Sequence, residues 1–182
     1  TMLPLPGHFF DMCGFRTEDG VWFLADCLSG ATSWRNTTST SSTTWLGIWR
    51  RWTRSAPGGR LFIPAHAEPV EDIRPLAELN RSKVLEICGV LEELCREPLG
   101  FEEILQKVFA HYQLTMDFNQ YVLVGSTIRS YLAYLLDQGR LSAEFSDCRL
   151  CGAGPEVSIL LSRSVRPFRR AEFFYPVGST SF

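Results

Sequence analysis

The chain has 182 residues, 45% of them hydrophobic, and a formal net charge of −2. That length can bury a sizeable core in one domain, or in one and a fraction. The near-neutral charge gives no ground for a nucleic-acid or membrane-surface partner, and no apolar run approaches the ~20 residues that span a bilayer.

Thr1-Met-Leu-Pro lacks the charged start and long apolar core of a secretory signal, so a cytoplasmic location is expected. Three short pieces then each deliver one metal-capable side chain. They are Leu5-Pro-Gly-His8-Phe-Phe-Asp-Met, Val21-Trp-Phe-Leu-Ala-Asp26 and Leu61-Phe-Ile-Pro-Ala-His66-Ala-Glu68. Residues 21–25 and 61–63 are β-prone runs bounded by Gly, Asp and Pro, which predicts buried strands. His8, Asp26 and His66 then stand at loop entrances, where rigid scaffolds present ligands. A lone His or Asp at a strand end is more often a turn cap or surface residue.

Taken in order, Pro6-Gly7-His8, the run ending Leu24-Ala25-Asp26 and the run ending Pro64-Ala65-His66 resemble the later metal-binding motifs of metallo-β-lactamase-fold hydrolases, the glyoxalase II-like superfamily. The resemblance covers roughly residues 1–30 and 61–150. It implies the C-terminal half of an αββα fold of the α/β class. It also implies that His8 binds one metal, Asp26 bridges two, and His66 binds the second. The implied metals are two zinc ions, with iron and manganese left open. Their chemistry would be attack of a metal-bound water on an ester, thiolester, lactam or phosphodiester in a small-molecule substrate. By position, Asp11 and Glu68 are candidates to hold the ligand histidines through their second N–H.

Two departures stand beside this. The family's upstream His-x-His-x-Asp-His motif, which supplies most ligands, is missing, and Met12 stands where many relatives carry a second histidine. The chain therefore reads as a fragment whose isolated form binds zinc weakly and has no hydrolase activity. No catalytic residue is assigned, and a homo-oligomer remains open.

Residues 31–60 depart from the rest. They hold four of the five Trp, seven Thr and five Ser, and no Asp or Glu. No period of 3.6 or 2 runs through them, and they are too rich in Trp for an ordinary linker. Shifting the reading frame by one base permits codons for a loop followed by an amphipathic helix. Sixteen Arg against two Lys point to a G+C-rich gene, in which wrong frames carry few stop codons. We read the segment as out of frame between two compensating slips; the alternative is a genuine insertion.

From residue 71 the pattern is helical. A short helical region over 73–79 is expected to lead into a helix bearing the stripe Val84, Cys88, Leu91 and Cys95, stopped by Pro98 and Gly100. Phe101, Ile104, Leu105, Val108, Phe109 and Tyr112 share a second face, with Glu102 and Glu103 in the favourable first turn. Asp117 reads as an N-cap with Gln120 completing a capping box. The helix that follows ends at Gly139, and Gly125-Ser126-Thr127 is a candidate break within it. Residues 140–147 alternate as a hairpin arm would.

Helices followed by a β-arm resemble the winged-helix-like modules appended to some metallo-β-lactamase-fold hydrolases. Acidic residues outnumber basic ones over 71–148, so this module is read as covering substrate or contacting protein rather than nucleic acid. A winged-helix-type protein- or nucleic-acid-interaction module without catalysis is the alternative function. His111 reads as a helix-surface histidine.

Without a secretion signal, the six cysteines read as thiols rather than disulfides. Cys148-x-x-Cys151 is half a zinc knuckle and carries no metal assignment. Past residue 150 periodicity fails again, and the tail is read as disordered or out of frame. The expected organisation is a partial metallo-β-lactamase-like domain over 1–70, a helical module over 71–150 and an atypical tail over 151–182.

Overall fold

The computed structural model describes residues 1–5, 12–31, 52, 58–146 and 149–154. Four short strands, β1 (Met2–Pro4), β2 (Cys13–Arg16), β3 (Val21–Phe23) and β4 (Leu61–Ile63), form one sheet in that order. The first two pairings are antiparallel and the third is parallel. A parallel neighbour demands a longer connection than a hairpin, and β3 and β4 are far apart in sequence. Trp52, between them in sequence, is buried.

The period of two divides the sheet into unlike faces. Trp22 and Phe62 sit side by side in register and are buried, at 6% and 2% exposed. Phe15 and Phe23, also paired, point the other way and are 55% and 46% exposed, with Met2 beside Phe15 at 63%. The run over 21–25 is thus not a wholly buried strand. It is buried on one face, leaves the strand after Phe23, and turns into a single 3₁₀ turn over Ala25–Cys27.

The other described elements are three helices and a small second sheet. Helix α1 (Arg74–Leu94) is continuous, where a separate short helical piece over 73–79 was expected. Pro75 lies in its first turn, where the missing N–H costs nothing, so the proline starts the helix instead of dividing it. The helix ends at Leu94, before Pro98 is reached. The expected stripe is buried, and Ala77, Asn80 and Ile87 join it.

A two-residue strand β5 (Leu99–Gly100) leads into α2 (Phe101–His111), whose Glu103 carboxylate accepts from the Gly100 N–H at 2.9 Å. Helix α3 (Phe118–Asp137) starts at Asp117, whose carboxylate accepts from the Gln120 N–H at 2.8 Å. The reciprocal half of the expected capping box does not form: the Gln120 Oε1 is buried without a partner. Nor does Gly125 break α3. It is buried within the continuous helix, and a Cβ there would make only ordinary van der Waals contact with Arg129, Leu105 and Phe101. Gly139 ends the helix at φ +67, a conformation glycine adopts without strain.

The hairpin of β6 (Ser142–Ser146) and β7 (Arg149–Ala153) closes the fold, with β5 paired to the outer side of β7. Cys151 to Ala153, assigned to the atypical tail, complete β7. One core joins both sheets and the helices, from Leu5, Trp22 and Phe62 through Ile73, Val84 and Leu91 to Ile104, Ile128 and Tyr131. No helix among the described residues is long and apolar enough to cross a membrane.

Candidate functional site

Strands β3 and β4 are parallel, so their carboxyl ends lie together. In open α/β sheets that edge is where ligands bind. The ladder continues beyond the strands: the Leu24 N–H donates to the Ile63 carbonyl at 2.9 Å, and the Ala65 N–H to the Ala25 carbonyl at 2.9 Å. These two bonds carry Asp26 and His66, far apart in sequence, into contact. The His66 Nε2 and Asp26 Oδ1 are 3.2 Å apart, with both side chains partly exposed.

Ala25 makes that approach by adopting φ 48, the left-handed region that costs a residue with a Cβ on the order of 1 kcal/mol. The strained residue immediately precedes Asp26. Its carbonyl is engaged by Ala65, so the turn and the neighbouring strand end are fixed together.

The loop after Asp26 secures His66 from the other side. The Gly30 N–H donates to the His66 carbonyl at 2.8 Å, and Ser29 bridges to His66 as an isolated parallel pair. Helix α1 in turn holds this loop through one side chain. The Asn80 carboxamide oxygen accepts from the Ser29 N–H at 2.9 Å, and its NH₂ donates to the carbonyls of Ser29 at 2.9 Å and Leu76 at 2.8 Å. Both Asn80 and Ser29 are fully buried. Sequence reasoning passed over Asn80. The available signal was an amide standing in the apolar stripe of Ile73, Ala77, Val84, Ile87 and Leu91.

A metal can be tested against this geometry. Two ligands of one tetrahedral zinc, each at about 2.0–2.1 Å, stand roughly 3.3 Å apart. The Asp26–His66 separation of 3.2 Å matches that spacing, and an imidazole with a carboxylate is a suitable donor pair. The same 3.2 Å is also that of an ordinary histidine–carboxylate ion pair, and two donors alone do not make a metal site. Among the described residues, no group of three or more His, Cys, Asp or Glu could hold a metal ion.

His8 and Asp11 lie outside the described residues. Met12 is half-buried at the edge of the core. Glu68 is exposed and forms no hydrogen bond to His66; the carboxylate that meets the imidazole is Asp26. Cys27, next to Asp26, is buried in the core. Burial, and then the Asp26 charge, push its thiol pKa well up, so it stays protonated. His111 is exposed at the end of α2, edge-on to Tyr112 at 4.8 Å between ring centres.

No protein-family model matches the chain, and neither does any curated protein sequence. Solved structures do match. A metallo-β-lactamase family protein of Thermus thermophilus aligns over 84% of this chain and 48% of its own, with 21% identity and a TM-score of 0.60. A β-lactamase domain protein of Burkholderia ambifaria aligns over 81% of this chain and 45% of its own, with 19% identity and a TM-score of 0.63. The fold is that of the metallo-β-lactamase proteins. This chain spans about half the length of those two structures.

Proposed function

We propose that this chain is the C-terminal part of a metal-dependent hydrolase of the metallo-β-lactamase fold, with His8, Asp26 and His66 as its share of the metal ligands. The observation that carries the reading is the Asp26–His66 pair, held at ligand spacing at the carboxyl ends of two parallel strands. The outward face of Met2, Phe15 and Phe23 supports it. An exposed apolar sheet face of this kind belongs against a second layer, and in this fold that layer is the other sheet.

The donor set suits zinc, with iron and manganese as alternatives. Bound there, the metal would acidify water toward neutrality and polarise a carbonyl or phosphoryl oxygen. This chain's own contribution is positional. Ala25 turns Asp26 toward His66, and the Asn80–Ser29–Gly30 chain of hydrogen bonds fixes the His66 backbone. A small-molecule ester, thiolester, lactam or phosphodiester remains the substrate class.

The order α1, β5, α2, α3 and a hairpin supports a winged-helix-like reading of the second half. With more acidic than basic residues over 71–148, we assign it a covering or protein-contact role. We keep the out-of-frame reading of residues 31–60 as a proposal, and that of the tail only for the residues after Ala153, because Cys151 to Ala153 complete β7. Resequencing the gene and its upstream region tests it: an unbroken frame through both segments sinks it.

Zinc titration of the full chain, compared with Asp26→Ala and His66→Ala, tests the ligand assignment. We expect weak zinc binding in the parent, loss in both variants, and no turnover of a generic thiolester in any of them. Equal zinc uptake by parent and variants would overturn the assignment. Tight zinc with turnover would overturn the reading of the chain as an inactive part.

A further inference from the structure

A cavity is lined by neither Asp26 nor His66 nor the loops that hold them. It has a volume of about 300 Å³, opens to the surface, and is lined by residues of α2, α3 and the β6–β7 hairpin. Phe101, Ile104, Leu132, Leu136 and Leu141 form apolar walls, and Arg129 is the one charged side chain among its lining residues. Such a chamber, at the small end of ligand sites, favours a compact guest over a folded partner.

Arg129 gives the cavity its chemistry. Its guanidinium carbon lies 3.8 Å from the centre of the Phe101 ring. Stacking satisfies the face of the cation and leaves its edge of N–H donors unused. Among the described residues Arg129 makes no ion pair. Glu102, beside Phe101, is engaged instead by the Tyr121 hydroxyl, which donates to its two oxygens at 3.0 and 3.1 Å. A guanidinium without an ion pair among the described residues, over an apolar cavity, complements one anion carried on an apolar body. Carboxylate suits it best, because the planar fork of donors matches two carboxylate oxygens.

We propose that this cavity binds a small amphipathic monocarboxylate, its tail between α3 and the hairpin and its head on Arg129. The site is independent of the metal site and stands whether or not the hydrolase reading does.

Cys151 lines the cavity and reports its occupancy. The metal-free full chain is alkylated with iodoacetamide while octanoate or 1-octanol is titrated, and Cys151 is followed by peptide mass spectrometry. Octanoate should slow alkylation of Cys151 in the millimolar range or below. 1-Octanol, with the same tail and no charge, should need roughly ten times the concentration, the ratio one charge-assisted contact supplies. Arg129→Met, at an exposed position, should erase that difference, and Ala133→Trp at the rim should abolish protection by both. Several results would overturn the proposal: no protection by millimolar octanoate, equal protection by both probes, or an unchanged preference in Arg129→Met. A Cys151 that does not react without ligand would show the cavity filled by the chain itself, and would overturn it too.

Discussion

The two halves of the molecule are held together by different means. In the helical half, long amphipathic segments bury stripes against one another, and Val84, Leu91, Ile104, Val108, Ile128 and Tyr131 are all almost wholly removed from water. In the sheet half, strands of three or four residues bury one face on that same core and expose the other. The candidate metal ligands belong to the second half. Their geometry depends on a few bonds between segments distant in sequence: Ala65 to Ala25, Gly30 to His66, and Asn80 to Ser29. Ligand-binding loops are commonly drawn from the less stable parts of a fold. Here the helical half provides the rigidity and, through Asn80, delivers part of it to the site.

The sharpest test of that contrast is a pair of truncations. Leu91→Ala, in the shared core, should cost about 2–5 kcal/mol in urea unfolding. Phe15→Ser, on the exposed sheet face, should stay within about 0.5 kcal/mol and improve solubility. Equal costs would mean that the outer sheet face is packed as firmly as the shared core.

Asn80→Leu should come next. It leaves the buried Ser29 N–H and carbonyl without partners, at about 1–3 kcal/mol for each orphaned group. Hydrogen exchange at Gly30 should quicken with it, since the loop that holds His66 is released. Unchanged exchange there would break the link drawn between α1 and the site.

Alkali should weaken the helical half. Burial pushes Cys88 and Cys95 from 9.0 to about 11, and Tyr112 from 10.0 to about 12. Above pH 9 the unfolded chain would therefore hold fewer of these protons than the folded one. Their stabilisation is complete below pH 9 and declines as pH rises toward 11 and 12. Chemical denaturation at stepped pH should show the fall, and a flat profile would contradict it.

The smallest effect should come from Tyr131→Phe. The Tyr131 hydroxyl is buried without a hydrogen-bond partner, so its removal should be neutral or stabilise the fold by up to ~1 kcal/mol in urea unfolding.

The amino-acid sequence by itself determined the helical half closely. The stripe on α1, the apolar face of α2, the Asp117 cap and the Gly139 stop each depend on residues within a turn or two of one another, and local spacing records them. It also marked Asp26 and His66, each at the end of a short β-prone run. It did not record that α1 begins at Arg74 as one helix, that α3 runs unbroken through Gly125, or that the β3 run is buried on one face only. Those outcomes were decided by which surfaces met. Nor could it place Asp26 against His66 or Asn80 against Ser29. A parallel strand pair, a left-handed Ala25 and a helix packed across the following loop bring these residues together, and contacts between distant segments leave no periodic trace in a chain.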